Sequence, residues 1–174
     1  MKFNRPFFIK IHLYLSALAS PLLLMMAFTG VSYLLGFKGS EVVEPVKVVQ
    51  LSKAQLTKEN ISVELNEIDE GYDFAYVKTV GDGAITRPTT RDYYKFQVKE
   101  DGTHISYVKP NLLKRLIELH KGHGPQFLRY VEKIIGIFLL LIILSGLYLA
   151  YTMKKERKIV GILFLIGLSI YLFM

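Results

Sequence analysis

The sequence predicts an α-helical membrane protein with three transmembrane helices and a small extracytoplasmic α+β domain. Three observations carry this. Of the 174 residues, 51% are hydrophobic and the mean hydropathy is +0.31. The apolar residues gather at the two ends, around a middle of ordinary polarity, and the excess positive charge falls into two short segments. Such a composition excludes a free-standing cytosolic enzyme and a disordered chain. There is no cysteine, which excludes a disulfide scaffold, iron–sulfur clusters, thiolate zinc sites and covalently attached c-type haem.

Residues 1–37 read as a cytoplasmic start and the first transmembrane helix. Residues 11–37 contain no Asp, Glu, Lys or Arg across 27 positions, enough helix to cross a hydrocarbon core of about 30 Å with some tilt. Lys2, Arg5 and Lys10, followed by Ala17-Leu18-Ala19, also look like the start and cleavage site of a signal peptide. The apolar run continues for 18 residues past Ala19, far beyond a signal core of roughly 7–15 residues. The helix is therefore retained, with a bend expected at Pro21.

Residues 38–110 form the extracytoplasmic domain. Residues 41–51 (EVVEPVKVVQL) read as extended, a short helical pattern begins near Ser52, and residues 72–80 are β-rich. Residues 92–109 alternate around Asp101-Gly102, a hairpin turn pair. Residues 111–131 give an interfacial amphipathic helix and the start of helix 2: Leu112, Leu113, Leu116, Ile117 and Leu119 fall mostly on one face, suited to the outer membrane surface. Pro125 suits the first turn of the following helix. Residues 132–153 are transmembrane helix 2, residues 154–158 a cytoplasmic loop, and residues 159–174 transmembrane helix 3. This last run has 16 residues and spans only if the bilayer thins or basic side chains snorkel.

Charge sets the orientation. Residues 1–10 carry +3, residues 154–158 carry +3, and residues 38–131 only +1. The positive-inside rule places the N-terminus in the cytoplasm, residues 38–131 outside and the C-terminus outside. The basic balance thus reports topology, and nucleic acid is not needed to explain it.

The chain has no GxGxxG, Walker, GxSxG or HExxH motif. The cytoplasmic segments, ten and five residues long, leave no room for a nicotinamide or flavin domain. Four histidines remain. His12 lies within the first span near its cytoplasmic end, read either as a functional intramembrane group or as an interfacial histidine facing water. His120 and His123 lie at the outer boundary, read as ligands or as a solvated pair. His104 reads as a surface strand residue. Thr29-Gly30 near the outer end of helix 1 and Ser145-Gly146 near the inner end of helix 2 form a pair. In antiparallel helices Gly146 falls at the depth of His12, and Gly30 near the outer histidines. A flat tetrapyrrole needs a bare helix face beside its axial ligand; close helix packing by small residues is the alternative.

Lys10-Ile11-His12, Pro21-Leu22-Leu23 and Thr29-Gly30 resemble the first helix of the PepSY-associated transmembrane proteins. Leu119-His120, ahead of Ser145-Gly146-Leu147-Tyr148, resembles their second block, and Tyr93 to Val108 is similar to a PepSY-like module. The resemblance covers nearly the whole chain. It implies a protein of the bacterial inner (cytoplasmic) membrane, with residues 38–131 periplasmic. It also implies kinship with b-type haem reductases that act on ferric iron or ferric siderophores, and with small members that promote ferrous iron uptake.

The expected function is a haem b-containing oxidoreductase passing electrons to ferric iron or a ferric chelate, a ferric reductase supporting ferrous iron uptake. Without cysteine the haem is non-covalent, with His12, His120 and His123 as candidate ligands to its iron and Gly30 and Gly146 beside it. His12 and His120 fall on opposite faces of the membrane. His12 therefore needs its counterpart from a second protomer, which a homodimer supplies. Quinol or a soluble flavin reductase is the expected donor, and a ferrous iron transporter a possible neighbour. Arg91 and Lys95, with Arg87 and Lys99 nearby, are the candidate substrate patch for anionic chelates, since Arg91, Lys95 and Lys99 share a face if the strand is regular; the alternative is a solvated strand, with Asp92, Glu100 and Asp101 alongside. The competing reading is a membrane-anchored PepSY-like binding module or accessory subunit without redox activity.

Overall fold

The structure is a computed structural model and describes residues 4–170 and Leu172. Lys2 of the basic start, and Tyr171, Phe173 and Met174 of the predicted third span, lie outside the described residues. The chain divides into two units, one of residues 1–23 and 133–174, the other of residues 24–132.

Helix α1 (Arg5–Leu34) runs through Pro21 without interruption and helix α4 covers Gln126–Thr152. At 1.5 Å per residue they are about 45 and 40 Å long, and both are long and apolar enough to cross a membrane. Their leucines, isoleucines and phenylalanines are largely exposed, as lipid-facing surfaces require. Helix α4 starts directly after Pro125, where a missing N–H costs nothing, and continues unbroken as expected. Helix α5 (Arg157–Ile170) has 14 residues, about 21 Å. It begins inside the basic cluster, so that only residues 153–156 separate it from α4.

In the second unit a five-stranded antiparallel sheet has the order β1-β5-β4-β3-β2. The strands are β1 (Glu41–Val49), β2 (Tyr76–Val80), β3 (Gly83–Arg87), β4 (Tyr93–Lys99) and β5 (Gly102–Pro110). β4 and β5 form the expected hairpin, with Lys99 opposite Gly102. Strand β3 is a correction to the sequence reading, which stopped at residue 80. It consists of Gly, Ala, Ile, Thr and Arg, mostly buried, and so shows no alternation to read. A Cβ on Gly83 would lie 2.0 Å from the Phe96 carbonyl oxygen; the close approach of β3 to β4 depends on glycine there.

The helical pattern expected from Ser52 is divided. Lys53–Gln55 is a single 3-10 turn, and α2 (Lys58–Asn66) starts after Thr57, whose hydroxyl accepts from the Asn60 N–H. Ile61 and Leu65 of α2 join Val49, Leu56, Phe74, Ala84, Tyr94, Phe96 and Ile105 in one core. Fully burying an aliphatic or Phe side chain such as Ile61, Leu65, Phe96 or Ile105 stabilises by roughly 1.5–3 kcal/mol.

Helix α3 (Leu112–His120) begins at Asn111, whose side chain accepts from the Lys114 N–H at 2.9 Å. It ends because Gly122 takes φ +72°. Gly122 N–H donates to the Leu119 carbonyl and His123 N–H to that of Glu118, the paired closure of a glycine-terminated helix. Ile117 and Glu118 are buried and Leu112 is exposed.

Candidate functional site

His12 sits two turns into α1. Its Nδ1 lies 3.0 Å from the Ile142 carbonyl oxygen and 3.2 Å from the Ser145 hydroxyl. The Ser145 hydroxyl is itself 3.0 Å from that same carbonyl, to which it donates. A carbonyl only accepts, so Nδ1 carries the proton. The other ring nitrogen, Nε2, then presents a lone pair. Gly146 follows Ser145, and a Cβ there would stand 3.2 Å from His12 Cε1.

The second unit repeats the arrangement with different residues. His120, the last residue of α3, has Nδ1 2.8 Å from the Thr29 hydroxyl. Thr29 is 1% exposed, and its hydroxyl lies 2.8 and 3.1 Å from the carbonyls of Met25 and Met26 on its own helix. A threonine hydroxyl has one proton, and back-bonding within the helix claims it. Oγ1 therefore accepts from His120 Nδ1–H, and Nε2 is again the lone-pair nitrogen. Gly30 follows Thr29, and a Cβ on it would meet His120 Cε1 at 3.5 Å. Thr29, Gly30, Tyr33, Leu34, Ile117, His120 and Lys121 line a groove of about 370 Å³.

Both glycines therefore stand beside the histidines that spacing assigned to them. Each leaves room for the neighbouring imidazole. Thr29 and Ser145 were visible in the sequence as members of small-residue pairs. Their role as hydrogen-bond partners of the histidines was not, because nothing in either helix marks which side chain lies opposite.

His123 goes elsewhere. Its Nδ1 donates to Glu118 Oε2 at 2.7 Å; the Thr89 hydroxyl donates to the same oxygen at 2.9 Å and accepts from Arg87 Nη1 at 2.6 Å. Lys121 reaches Glu118 Oε1 at 3.3 Å, and the Thr89 N–H donates to the His123 carbonyl. Arg87 is 4% and Glu118 8% exposed. Burial pushes the Glu118 carboxyl up, but the His123 and Thr89 hydrogen bonds and the Lys121 charge outweigh it and hold it at about 2. Burial also pushes the His123 imidazole below its usual 6.5, against the pull of Glu118. His120 and His123 thus have separate partners and do not form one site. Glu118, Arg87 and Thr89 were not singled out together, since they come from α3, β3 and the loop after it.

His104 is the surface strand residue expected, its Nε2 2.9 Å from Asp101. The proposed alignment of Arg91, Lys95 and Lys99 is corrected. β4 begins at Tyr93, so strand alternation does not reach Arg91. Arg91 instead donates to the Asp73 carbonyl and lies over the Tyr72 ring, whereas Lys95 is exposed between Ile85 and Ser106 of the neighbouring strands. Among the described residues no three His, Cys, Asp or Glu side chains gather as a metal cluster. An imidazole held through Nδ1 with Nε2 left as a lone-pair nitrogen is the form in which histidine ligates a metal, and His12 and His120 are the two residues here that could do so.

A family model described as the PepSY-associated TM region matches residues 9–169. No curated protein and no solved structure matches the chain significantly.

Proposed function

Since the chain belongs to the PepSY-associated transmembrane family, and so is a membrane protein, we propose that it is a haem b oxidoreductase of the bacterial inner membrane that delivers electrons to ferric iron outside. One observation carries the reading. At both His12 and His120 a backbone or hydroxyl oxygen takes the Nδ1 proton, leaving Nε2 as the nitrogen for iron. An axial ligand is oriented by such a hydrogen bond at its other ring nitrogen. Haem, when bound, supplies one-electron transfer through its iron.

The chain's own residues hold and orient. Ser145 and the Ile142 carbonyl fix the His12 ring, and Thr29 fixes that of His120. With one histidine at the His12 level, a second copy of the chain supplies the other ligand across a two-fold axis. The charge distribution supports a cytoplasmic His12 level, with quinol or a soluble flavin reductase as the donor. The sheet domain then lies on the periplasmic side, where ferric iron or its chelate is the acceptor and a ferrous iron transporter a natural consumer. Helix α5 is the third, short crossing.

The test is a visible spectrum of the purified protein in lipid nanodiscs, before and after adding hemin. A Soret band that shifts on reduction and is diminished in both His12→Ala and His120→Ala supports the reading. A protein that stays colourless and takes up no hemin overturns it in favour of a binding module without redox activity.

A further inference from the structure

Tyr33 stands one helical turn beyond Gly30 on α1 and lines the same groove as His120. Two lysines attend its ring: Lys38 Nζ lies 5.4 Å and Lys121 Nζ 5.1 Å from its centroid. The two ammonium groups are separated by no more than the sum of those distances, close enough to repel at a low-dielectric boundary. The ring faces offset part of that repulsion. Lys38 forms no ion pair among the described residues. Lys121 reaches Glu118, but that carboxylate also faces Arg87 and accepts from His123. Lys121 lines the groove, and Lys38 stands against Tyr33, which lines it too, so two ammonium groups attend this part of the groove. Leu34, Ile117, Gly30 and Thr29 also line it.

The ligand that matches is an amphiphile with an apolar body and two anionic groups at one edge. Haem b has that form, with two propionates on one side of an apolar ring. We propose that Lys38 and Lys121, the two lysines over the Tyr33 ring, hold the propionate carboxylates of a haem bound at His120. This rests on the assignment of His120 as an iron ligand. A phospholipid phosphate offers one negative charge to the same pair and is the competing occupant. The lysines thus act as orienting groups: they decide which edge of the cofactor meets the aqueous boundary.

The experiment compares hemin with its dimethyl ester, in which both carboxylates are neutral, each titrated into full-length protein. The protein is held in zwitterionic phosphatidylcholine nanodiscs, and binding is followed at the Soret band. A His12→Ala background confines the reading to the His120 level. Hemin should bind more tightly than the ester, by about fivefold for each lysine, the upper end for a partly exposed ion pair. Lys38→Gln and Lys121→Gln should each remove their share, and the double variant should bind both porphyrins alike, with ester affinity unchanged. Equal binding of hemin and ester by the unsubstituted lysines overturns the proposal while leaving His120 in place. So does a hemin preference that survives the double substitution, or an effect of the lysines confined to co-purified anionic lipid. Porphyrin binding that His120→Ala does not alter overturns the ligand assignment, and the lysine assignment with it.

Discussion

His120 Nδ1 and the Thr29 hydroxyl lie 2.8 Å apart, and the hydroxyl proton is already committed to the helix carbonyl behind it. The pair therefore acts in one direction, histidine as donor and threonine as acceptor, and this fixes the tautomer as well as the ring. A neutral hydrogen bond of this kind contributes about 1 kcal/mol net. Thr29→Val keeps the shape and removes the acceptor. It should lower haem occupancy at the His120 level several-fold and broaden the Soret band, and Thr29→Ser should restore both. A valine variant with the wild-type spectrum and haem content would show that the hydroxyl does not orient the ring.

The two glycines should respond unequally to the same change. A Cβ at Gly30 meets His120 at ordinary contact distance, 3.5 Å, whereas one at Gly146 meets His12 at 3.2 Å. Gly30→Ala should leave thermal stability within about 0.5 kcal/mol, the usual range for a substitution without a clash. Gly146→Ala must move the imidazole by a few tenths of an ångström and, on the proposed reading, should shift the Soret band of a haem held by His12. Gly146→Leu should displace the ring and, if a second copy shares that haem, weaken the dimer together with haem content. Detergent-corrected mass measured beside haem absorbance reads both. A monomer with its full haem complement would remove the shared site.

Acid should destabilise the sheet domain in two stages. Burial holds His123 below 6.5, so the unfolded chain binds its proton first. That contribution to stability is complete above pH 6.5 and is lost as pH falls toward the folded value. Glu118 is held at about 2 against 4.5, so its contribution is complete above pH 4.5 and is lost between there and pH 2. Melting temperature against pH should fall in both windows. His123→Gln should flatten the upper one and leave a step in the lower. An upper step unchanged in that variant would assign it to another group.

The charge distribution predicts that a reporter fused after residue 157 reads as cytoplasmic and one fused near residue 80 as periplasmic. The opposite result at either position would reverse the faces assigned to His12 and His120.

What could be read in the sequence is what depends on local pattern. Asp101-Gly102 marked its hairpin, Leu112 to Leu119 marked α3, and an antiparallel pair of helices was enough to set Gly146 beside His12. β3 escaped because its small residues are buried without alternation. Glu118 escaped because its partners, Thr89 and Arg87, are 29 and 31 residues away and no period joins them. The Arg91–Lys95 patch was read as aligned because a strand start is the least visible of boundaries; two residues' difference put Arg91 beside Asp73 and Tyr72.

The hydroxyls that fix the histidines also bear on how the protein is made. Thr29 and Ser145 each donate to a carbonyl of their own helix, so α1 and α4 can enter lipid with those groups already satisfied. His120 follows Thr29 by 91 residues in the chain. The first helix is thus inserted and waiting while the ribosome is still synthesising the sheet, and the ring arrives at a hydroxyl that needed nothing. The contact between the two side chains forms only once the whole segment between them has been made, so His120 is always the later partner to arrive.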